Sequence, residues 1–576
     1  MTPAALKKWE ILLPDPEAVD ELVQCCSISP LLATLLVNRG ITSPAEAQDF
    51  LSPSLANMAD PFLMKGMQKA AERIADAVEQ REIIAAAVDM DCDGVSSGSI
   101  LSLFFKSLGA SCLITTPHRL TDGYGVHTHQ VDTANKAGAR VLVTADVGIS
   151  AHAAAEYSKT LGIDFIITDH HTPPQELPDA YAIVNPHQEG CRFPYKYLAG
   201  CGVAFFLTMA VRKVLRERGY FTHRTEPDLR QLLAIVAIGT IGDLVELKGE
   251  NRRLTSYGLK LINSTAALAG ITALKNVSGL KRVSSGTVSF TLAPKLNASG
   301  RMDSAERSLE LLTTSDQAEA ATLAALLDGF NRERQELESH VVECACEMLV
   351  QDPASSSRKS IVLAGEWGPK AAAVVGISSS KLVEKFNRPT ILIAIDPETG
   401  IGKGSCRTAA GLDMYAALST CSSLLHKWGG HKAAAGLSIE ASRIGEFAAA
   451  FEAYVDSVLT FEDLQPVLLL DAEVGPSDLT LDRLSELETL EPYGMGNRSA
   501  LFVLRGATVR AQRVLKEKHL KLTLEKNGTH VDAIGFNLAG SETYQKVDVA
   551  FSLDDNEWQG VRSVQLKLKD IRHAEA

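Results

Sequence analysis

Three carboxylates alternate in Asp89-Met-Asp91-Cys-Asp93-Gly94, directly after the apolar run Ile83–Val88. On an extended segment, alternation places all three on one side, a concentration of negative charge that cations relieve. The pattern also opens like an EF-hand loop, but Ile100 stands where the twelfth position needs Glu, and a strand precedes it where a helix is required. A further acid, Asp146, lies just beyond the apolar run 141–144; alone, such a residue is most often a helix cap. The run 165–168 ends in Asp169-His170-His171, and paired imidazoles beside an acid suit metal ligation or phosphate contact. Asp243 sits in Gly239-Thr-Ile-Gly-Asp-Leu244, apolar surroundings in which a carboxylate needs a partner or a metal. Five to six carboxylates and two imidazoles suffice for two divalent cations sharing a bridging carboxylate. Hard oxygen ligands with one or two imidazoles fit Mn²⁺ or Mg²⁺ better than a soft metal. The matching chemistry is hydrolysis of a phosphoester or phosphoanhydride, with a water activated and the leaving oxygen stabilised.

The elements that must position these residues follow from the apolar pattern. Short runs at 83–88, 112–115, 141–144, 165–168 and 181–184 are separated by helix-like, Ala-rich stretches. That spacing predicts β-α-β units and a largely parallel sheet, with its ligand site beyond the carboxyl ends of the strands. The run 232–241 reads as a buried helix from its length and composition. Residues 315–350, with Arg332, Arg334, Glu336 and Glu338, read as one extended helix ending at a linker-like segment, 351–359. A second α/β pattern follows, with runs at 360–364 and 390–395 and Gly-rich turns at 400–404 and 429–430. From about residue 465 the alternation is of β type, at 500–504, 520–524, 531–534, 547–551 and 564–568, which predicts a small barrel of OB type. Residues 1–75 read as a helical N-terminal extension, its turns marked by Pro30, Pro44, Pro53 and Pro61.

Composition narrows the class. A chain of 576 residues predicts three to four domains. With 45% apolar and 22% charged residues the balance is that of a globular protein. No apolar leader-like segment opens the chain, and the longest near-apolar run is half a membrane span, so secretion and membrane spanning are not expected. The ten cysteines include no C-x-x-C, so they are expected to be reduced, mostly buried small hydrophobes in a cytoplasmic protein. A net charge of −13 argues against coating nucleic acid through bulk charge, though residues 501–576 carry 12 Lys/Arg against 10 Asp/Glu. Gly400-Ile-Gly-Lys-Gly-Ser405 ends like a Walker A loop, but Pro397 occupies the required first glycine, which argues against an ATPase.

In order, D-x-D-x-D-G, an isolated Asp, Asp-His-His and a further Asp resemble the DHH phosphoesterase superfamily. The stretches 117–125, 198–204, Asn297-Ala-Ser-Gly-Arg301-Met302, Lys403-Gly-Ser405-Cys-Arg407, Gly429-Gly430-His431 through Gly436, and Glu491-Pro-Tyr-Gly-Met-Gly-Asn497 resemble motifs of the RecJ exonucleases within it. The resemblance covers nearly the whole chain. It implies an α/β fold: a parallel-sheet DHH catalytic domain (76–314) after the extension (1–75), a connecting helix (315–352), a smaller α/β DHHA1 domain (353–462) and an OB-type barrel binding nucleic acid (463–576). It implies that Asp89, Asp91, Asp93, Asp146, His170 and Asp243 form the metal set, with Asp146 as the bridge. His171 would contact the scissile phosphate or hold a ligand in place. Ser405 and Arg407 would bind the 5′ end, Arg119 and Arg301 would contact phosphate nearby, and Gly429, Gly430 and His431 would close over the substrate. Arginine suits such contacts because its planar fork grips phosphate with two hydrogen bonds. The plainer alternatives are ion-pair arginines at 119 and 301, a packed core histidine at 431, and glycines that serve turns only. Met90, where Tyr is common in the family, and Ala145 and Val147, where Asp-Asn-Gly is common around the acid, depart from the pattern without removing a ligand; they bear on metal preference.

The implied activity is single-stranded-DNA-specific 5′–3′ exonuclease action releasing 5′-mononucleotides, in recombination and repair in the cytoplasm. Two divalent cations, Mn²⁺ ahead of Mg²⁺, would serve it. The implied partners are single-stranded DNA with a 5′ end, a single-strand-binding protein and a helicase, with no membrane and a monomeric enzyme. Two rivals stand beside this reading. A DHH/DHHA1 phosphodiesterase of short oligonucleotides would be a shorter chain without the barrel, and a non-catalytic Cdc45-like strand-binding scaffold would have lost metal carboxylates.

Overall fold

The computed structural model describes residues 7–119, 122–540, 542–558 and 560–574. Strands Cys112–Thr115, Ile83–Val88, Ala139–Ala145, Asp164–Thr168 and Ala182–Val184 lie side by side in that order, every pair parallel. Residues 84–88 are buried, the continuous apolar pattern of a strand covered on both faces. The register sets Val88 opposite Ala145 and Ala145 opposite Thr168. Asp89, Asp146 and Asp169 therefore follow three neighbouring strands at the same level. From Ile83–Val88 the chain crosses first to one side, to Cys112–Thr115, and then back to Ala139–Ala145 on the other, so the acids stand at the switch point where such sheets bind ligands.

The expectation that Asp89, Asp91 and Asp93 share one side of an extended segment is not met. The strand stops at Val88 and helix Cys92–Ser107 starts at once, with Asp91 as its N-cap accepting the amides of Asp93 and Gly94 at 3.0 and 3.1 Å. Unpaired amides of the first turn claim the Asp91 carboxylate, which puts Asp93 inside the helix. Gly94 is required there, since a Cβ would come 2.3 Å from the Asp89 carbonyl oxygen.

Helices Gly200–Glu217 and Leu233–Gly242 pack on Cys92–Ser107 and share its core. Leu233–Gly242 is apolar all round and buried, as expected for a core helix, and it delivers Asp243 at its C-cap. The 35-residue helix Gln317–Gln351 leads to the second domain. Buried Lys295 of helix Ala293–Met302 pairs with its Asp328, and Lys381 of helix Val375–Phe386 reaches its buried Glu338 at 2.8 Å, so it is fixed to both sides.

The second sheet runs Lys427–Gly430, Ala434–Glu440, Ile401–Arg407, Thr390–Ile395, Ile361–Gly365, parallel only between the last two. The Gly-rich stretches expected as turns are largely strand. Gly400 does turn, at φ 68°, but Gly402 and Gly404 lie under Ile393 and Leu437, where a Cβ would approach to 2.5 and 2.7 Å. Gly429 and Gly430 belong to the edge strand.

Strands Phe502–Leu515, His519–Lys526, Thr529–Gly535, Val561–His573 and Lys546–Trp558 form the barrel, closed by pairing of the first with the last. The N-terminal segment is not purely helical. Strand Lys8–Ile11 pairs in parallel with Val467–Leu470, a partner distant in sequence that no local pattern reveals. Helices Pro16–Cys26, Pro30–Asn38 and Pro44–Leu51 each begin with proline behind an Asp15, Ser29 or Ser43 cap, the residue order that opens a helix. Their Leu22, Leu32, Leu35, Leu36 and Phe50 share one core with Leu522, Leu524 and Phe551 of the barrel. Helix Met67–Gln80 runs through residue 75 and packs instead on Gly200–Glu217.

Several ties hold these parts together. Buried Arg252 donates to the carbonyls of Phe50, Thr489, Leu490 and Glu491 at 2.7–3.2 Å and stacks over the Phe50 ring at 3.7 Å. Lys7 Nζ donates to the Lys569 carbonyl at 3.0 Å, and Trp9 Nε1 to Asp570 Oδ2 at 2.7 Å. All ten cysteines are free, but only Cys92, Cys201, Cys406 and Cys421 are buried, fewer than expected, because helix faces at the surface carry several of the others. Among the described residues, no helix is long and apolar enough to cross a membrane.

Candidate metal centre and phosphate cavity

The acids beyond the strand ends converge. Asp146 is held in the left-handed region at φ 64° and is 2% exposed, strain of the kind retained where geometry matters. Its Oδ1 faces His170 Nε2 at 3.1 Å, and Asp243 Oδ2 lies 3.6 Å from the same nitrogen. Asp93 is fully buried, and the first amides of helix Gly200–Glu217 donate to it, Gly200 at 2.6 Å and Cys201 at 3.0 Å. A carboxylate at a helix N-terminus gains from both the free amides and the helix dipole. Gly200 also leaves room for Asp146: a Cβ at 200 would lie 2.5 Å from both its Cβ and its Oδ1. Among the described residues, three overlapping groups have ligand atoms within 4.8 Å of one another: Asp89, Asp91 and Asp146; Asp93, His170 and Asp243; Asp146, His170 and His171. Asp146 and His170 each belong to two of them.

The electrostatics are those of anions short of a cation. Burial, then Asp91, pushes Asp89 up to about 7. Burial, then Asp93, pushes Asp243 up to about 9. Asp93 and Asp146 are raised as well, again chiefly by burial. Burial lowers His170, which leaves its imidazole neutral and able to ligate. Asp146 Oδ1 and His170 Nε2 are both buried without a hydrogen-bond partner. Orphaned acceptors aimed at one another among crowded carboxylates fit divalent cations bound by oxygen and imidazole.

Asp169 belongs to the site in a way its sequence position does not reveal. It follows its strand as Asp89 and Asp146 follow theirs, yet its buried carboxylate turns to its own loop and to the loop after the neighbouring strand. There it accepts the amides of Ile149, His170 and His171 at 2.9, 2.7 and 3.1 Å, and His171 Nδ1 at 2.7 Å. The His171 bond holds Asp169 low against its burial, and Asp169 in turn raises His171 against the effect of burial. Asp169 is thus an orienting group for both imidazoles. The exposed Tyr124 ring stands edge-on to His171 with centroids 5.9 Å apart. Asn297 Oδ1 accepts the Cys92 amide at 2.7 Å, which fastens the Asn297–Met302 motif to the acidic loop.

Arg119, Arg301, Ser405 and Arg407 line one cavity of about 390 Å³, together with Lys403 and the first turn of helix Val375–Phe386. Arg407 Nη1 donates to Ser405 Oγ at 3.0 Å, Arg301 Nη1 donates to the Ala373 carbonyl at 2.8 Å, and Arg119 Nε is buried without a partner. Burial, then repulsion from Arg119, brings Arg301 down to about 9. Arg119 lowers Asp89, and Asp91 acts on Arg301, so the cavity adjoins the carboxylate cluster. Gly429, Gly430 and His431 neither line this cavity nor belong to the three ligand groups. They are exposed on an edge strand and the turn after it, which removes the packed-core alternative for His431.

A parallel sheet with acids and an Asp-His-His segment at its carboxyl ends, joined by a long helix to a smaller mixed sheet, defines a DHH-type phosphoesterase. Models of three domain families match this chain: the DHH family N-terminal domain at residues 83–240, the DHHA1 domain at 362–457 and the RecJ OB domain at 470–570. The protein named single-stranded-DNA-specific exonuclease RecJ in Bacillus subtilis is 37% identical, covering 99% of this chain and 72% of that protein. The Escherichia coli protein of the same name is 36% identical, covering 96% and 98%. The crystal structure of RecJ from Thermus thermophilus in complex with Mn²⁺ superposes with a TM-score of 0.83 at 30% identity, covering 99% of this chain and 80% of that one. Its Mg²⁺ complex gives 0.78 at 29%, covering 99% and 79%. The chain belongs to the RecJ family.

Proposed function

We propose that this protein is a metal-dependent exonuclease that degrades single-stranded DNA from the 5′ end toward the 3′ end, releasing 5′-mononucleotides in recombination and repair. The observation that carries the reading is the arginine cavity beside the carboxylate cluster. A 5′-terminal phosphate held by Arg119, Arg301, Ser405 and Arg407 leaves the next phosphodiester to reach Asp89 and Asp146, so one nucleotide is removed at a time and only from that end. The names and bound ions of the RecJ relatives support the substrate and the need for divalent cations.

Asp89, Asp91, Asp93, Asp146, His170 and Asp243 would hold two divalent cations, with Asp146 shared between them, and Mn²⁺ is proposed ahead of Mg²⁺ because an imidazole joins the oxygens. When bound, such cations activate a water and neutralise charge on the phosphate. The chain's own residues orient and hold. Asp169 fixes the His171 ring, which reaches the scissile phosphate from the side of Tyr124. Gly429, Gly430 and His431 are proposed to close over the strand. The barrel is proposed to grip the trailing strand, with exposed Phe536 as a stacking surface and Lys567 Nζ 5.7 Å from its ring centroid.

The enzyme is proposed to be a monomer. Restriction to single strands supports partners that open and present them, a helicase and a strand-binding protein, in the cytoplasm. The test is a time course with 5′-labelled and 3′-labelled strands and a blunt duplex, with Mn²⁺, Mg²⁺ or chelator. Immediate release of labelled mononucleotide from the 5′ label, laddering from the 3′ label and an inert duplex are expected. Laddering from the 5′ label instead would reverse the polarity.

A further inference from the structure

We propose that the arginine cavity accepts 5′-triphosphorylated strand ends and binds them more tightly than 5′-monophosphorylated ones. The inference rests on the reading of this cavity as the 5′-end pocket and extends it to a second class of substrate.

The first observation is charge. Among the described residues, four formally cationic side chains, Arg119, Arg301, Lys403 and Arg407, line the cavity, and no carboxylate does. A phosphate monoester brings only about −1.5 to −2 charges at neutral pH. One such group leaves about two of the four cations unmatched within the cavity lining; Asp89 and Asp91 act on Arg119 and Arg301 from the adjoining cluster, while Lys403 and Arg407 lie on strand Ile401–Arg407 away from it. A triphosphate supplies the missing charge within the same covalent chain.

The second observation is unused donors. Arg119 Nε is buried and bonded to nothing. Lys403, Ser405 and Arg407 alternate along strand Ile401–Arg407, so their side chains share a face. Lys403 is exposed at the open end of that row, while Arg407 is partly buried with its guanidinium already on Ser405. Across from the row lies the start of helix Val375–Phe386. Gly376 is the residue that lets it approach: a Cβ there would stand 3.0 Å from Arg407 Nη2 and 3.1 Å from Ser405 Oγ. The row and the helix start thus form a trough lined with donors, longer than a single tetrahedral group needs.

The third observation is room. At about 30 Å³ per water, a cavity of about 390 Å³ holds on the order of ten waters, well beyond the one phosphate that an end pocket must contain. Oxygens of a polyphosphate replace those waters with charge-assisted hydrogen bonds, each worth on the order of tenfold in affinity.

The experiment uses the full chain and one oligodeoxynucleotide carrying a 5′-hydroxyl, a 5′-monophosphate or a 5′-triphosphate. Binding is read by anisotropy in chelator, so that metal sequestration by phosphate chains cannot mimic competition, and degradation is read separately with metal. The triphosphate strand should bind about tenfold or more tighter than the monophosphate strand and should be degraded. Inorganic tripolyphosphate should displace a labelled 5′-phosphorylated strand at about tenfold lower concentration than inorganic phosphate. Lys403→Ala, at an exposed position that folding does not need, should weaken triphosphate binding more than monophosphate binding. A strand end that is preferred as monophosphate over hydroxyl but rejected as triphosphate overturns the proposal and leaves the end-pocket reading standing. Equal binding of all three ends removes the end-pocket reading, and the proposal with it.

Discussion

Replacing Gly200 by alanine tests the metal centre without substituting any proposed ligand. The added Cβ would sit 2.5 Å from Asp146 Cβ and Oδ1 and 2.7 Å from its Cγ, about 1 Å inside the contact distance of roughly 3.5 Å. Neither side can yield freely. The Asp146 backbone is already held at φ 64°, and retreat of the helix would break the bonds from Gly200 and Cys201 to buried Asp93. Overpacking of this kind costs about 1–3 kcal/mol, and a displacement of about 1 Å at a reacting centre lowers turnover by about 10²-fold. Gly200→Ala should therefore lose about 10²-fold in kcat on 5′-phosphorylated single strands, with weaker Mn²⁺ binding by calorimetry. Urea unfolding should show a loss of no more than about 3 kcal/mol. A folded variant with turnover and metal affinity within about twofold of the parent would refute the close packing of Asp146 against this helix as a condition of activity.

Asp146→Ala should abolish hydrolysis and metal binding while leaving the circular dichroism spectrum unchanged; near-parental turnover would remove the proposed bridge. In chelator, stability should fall as pH rises. Asp89 and Asp243 are raised to about 7 and about 9 in the folded state against about 4 unfolded, so the folded protein binds more protons and their contribution, full below about pH 4, is lost through pH 7 to 9. Saturating Mn²⁺ should flatten that slope, and a stability in chelator that climbs over this range would contradict the crowding of unneutralised carboxylates. Phe536→Ala should weaken binding of long strands by about 1–3 kcal/mol, the worth of one stacked base, with little effect on strands too short to reach the barrel. Arg252→Ala should lower the stability measured in urea by several kcal/mol, because each carbonyl it leaves buried and unsatisfied costs about 1–3 kcal/mol; a loss under about 1 kcal/mol would show that water replaces the guanidinium.

Much of the catalytic sheet is legible because its strands are short apolar runs ended by polar residues. Ile83–Val88 and Cys112–Thr115 fall where the pattern puts them, and helix Leu233–Gly242 carries Asp243 at its end as its composition implies. The proximity of Asp89, Asp146, His170 and His171 was also legible, since residues at the ends of parallel strands meet at one edge. Illegible features depend on partners distant in sequence. Alternation in Asp89-Met-Asp91-Cys-Asp93 looks like a strand face until Asp91 is seen capping a helix. Asp169 and Asp146 occupy equivalent strand-end positions, and only the Ile149 amide and the His171 ring separate an orienting acid from a candidate ligand. Lys8–Ile11 becomes a strand only against Val467–Leu470. For the same reason, deletion of residues 465–576 is a poor test of the barrel's role: it would bare Leu32, Leu35 and Leu36 as well as remove a binding surface.

That last contact has a consequence for how the protein is made. Residues 8–51 leave the ribosome well before the surfaces that cover them, Val467–Leu470 and the barrel through Val561–His573. At about 5–20 residues per second, the apolar faces of the first three helices wait roughly half a minute to two minutes for their partner. During that interval their apolar faces are open to a chaperone, and the parallel sheet between them can complete its own core before these segments meet.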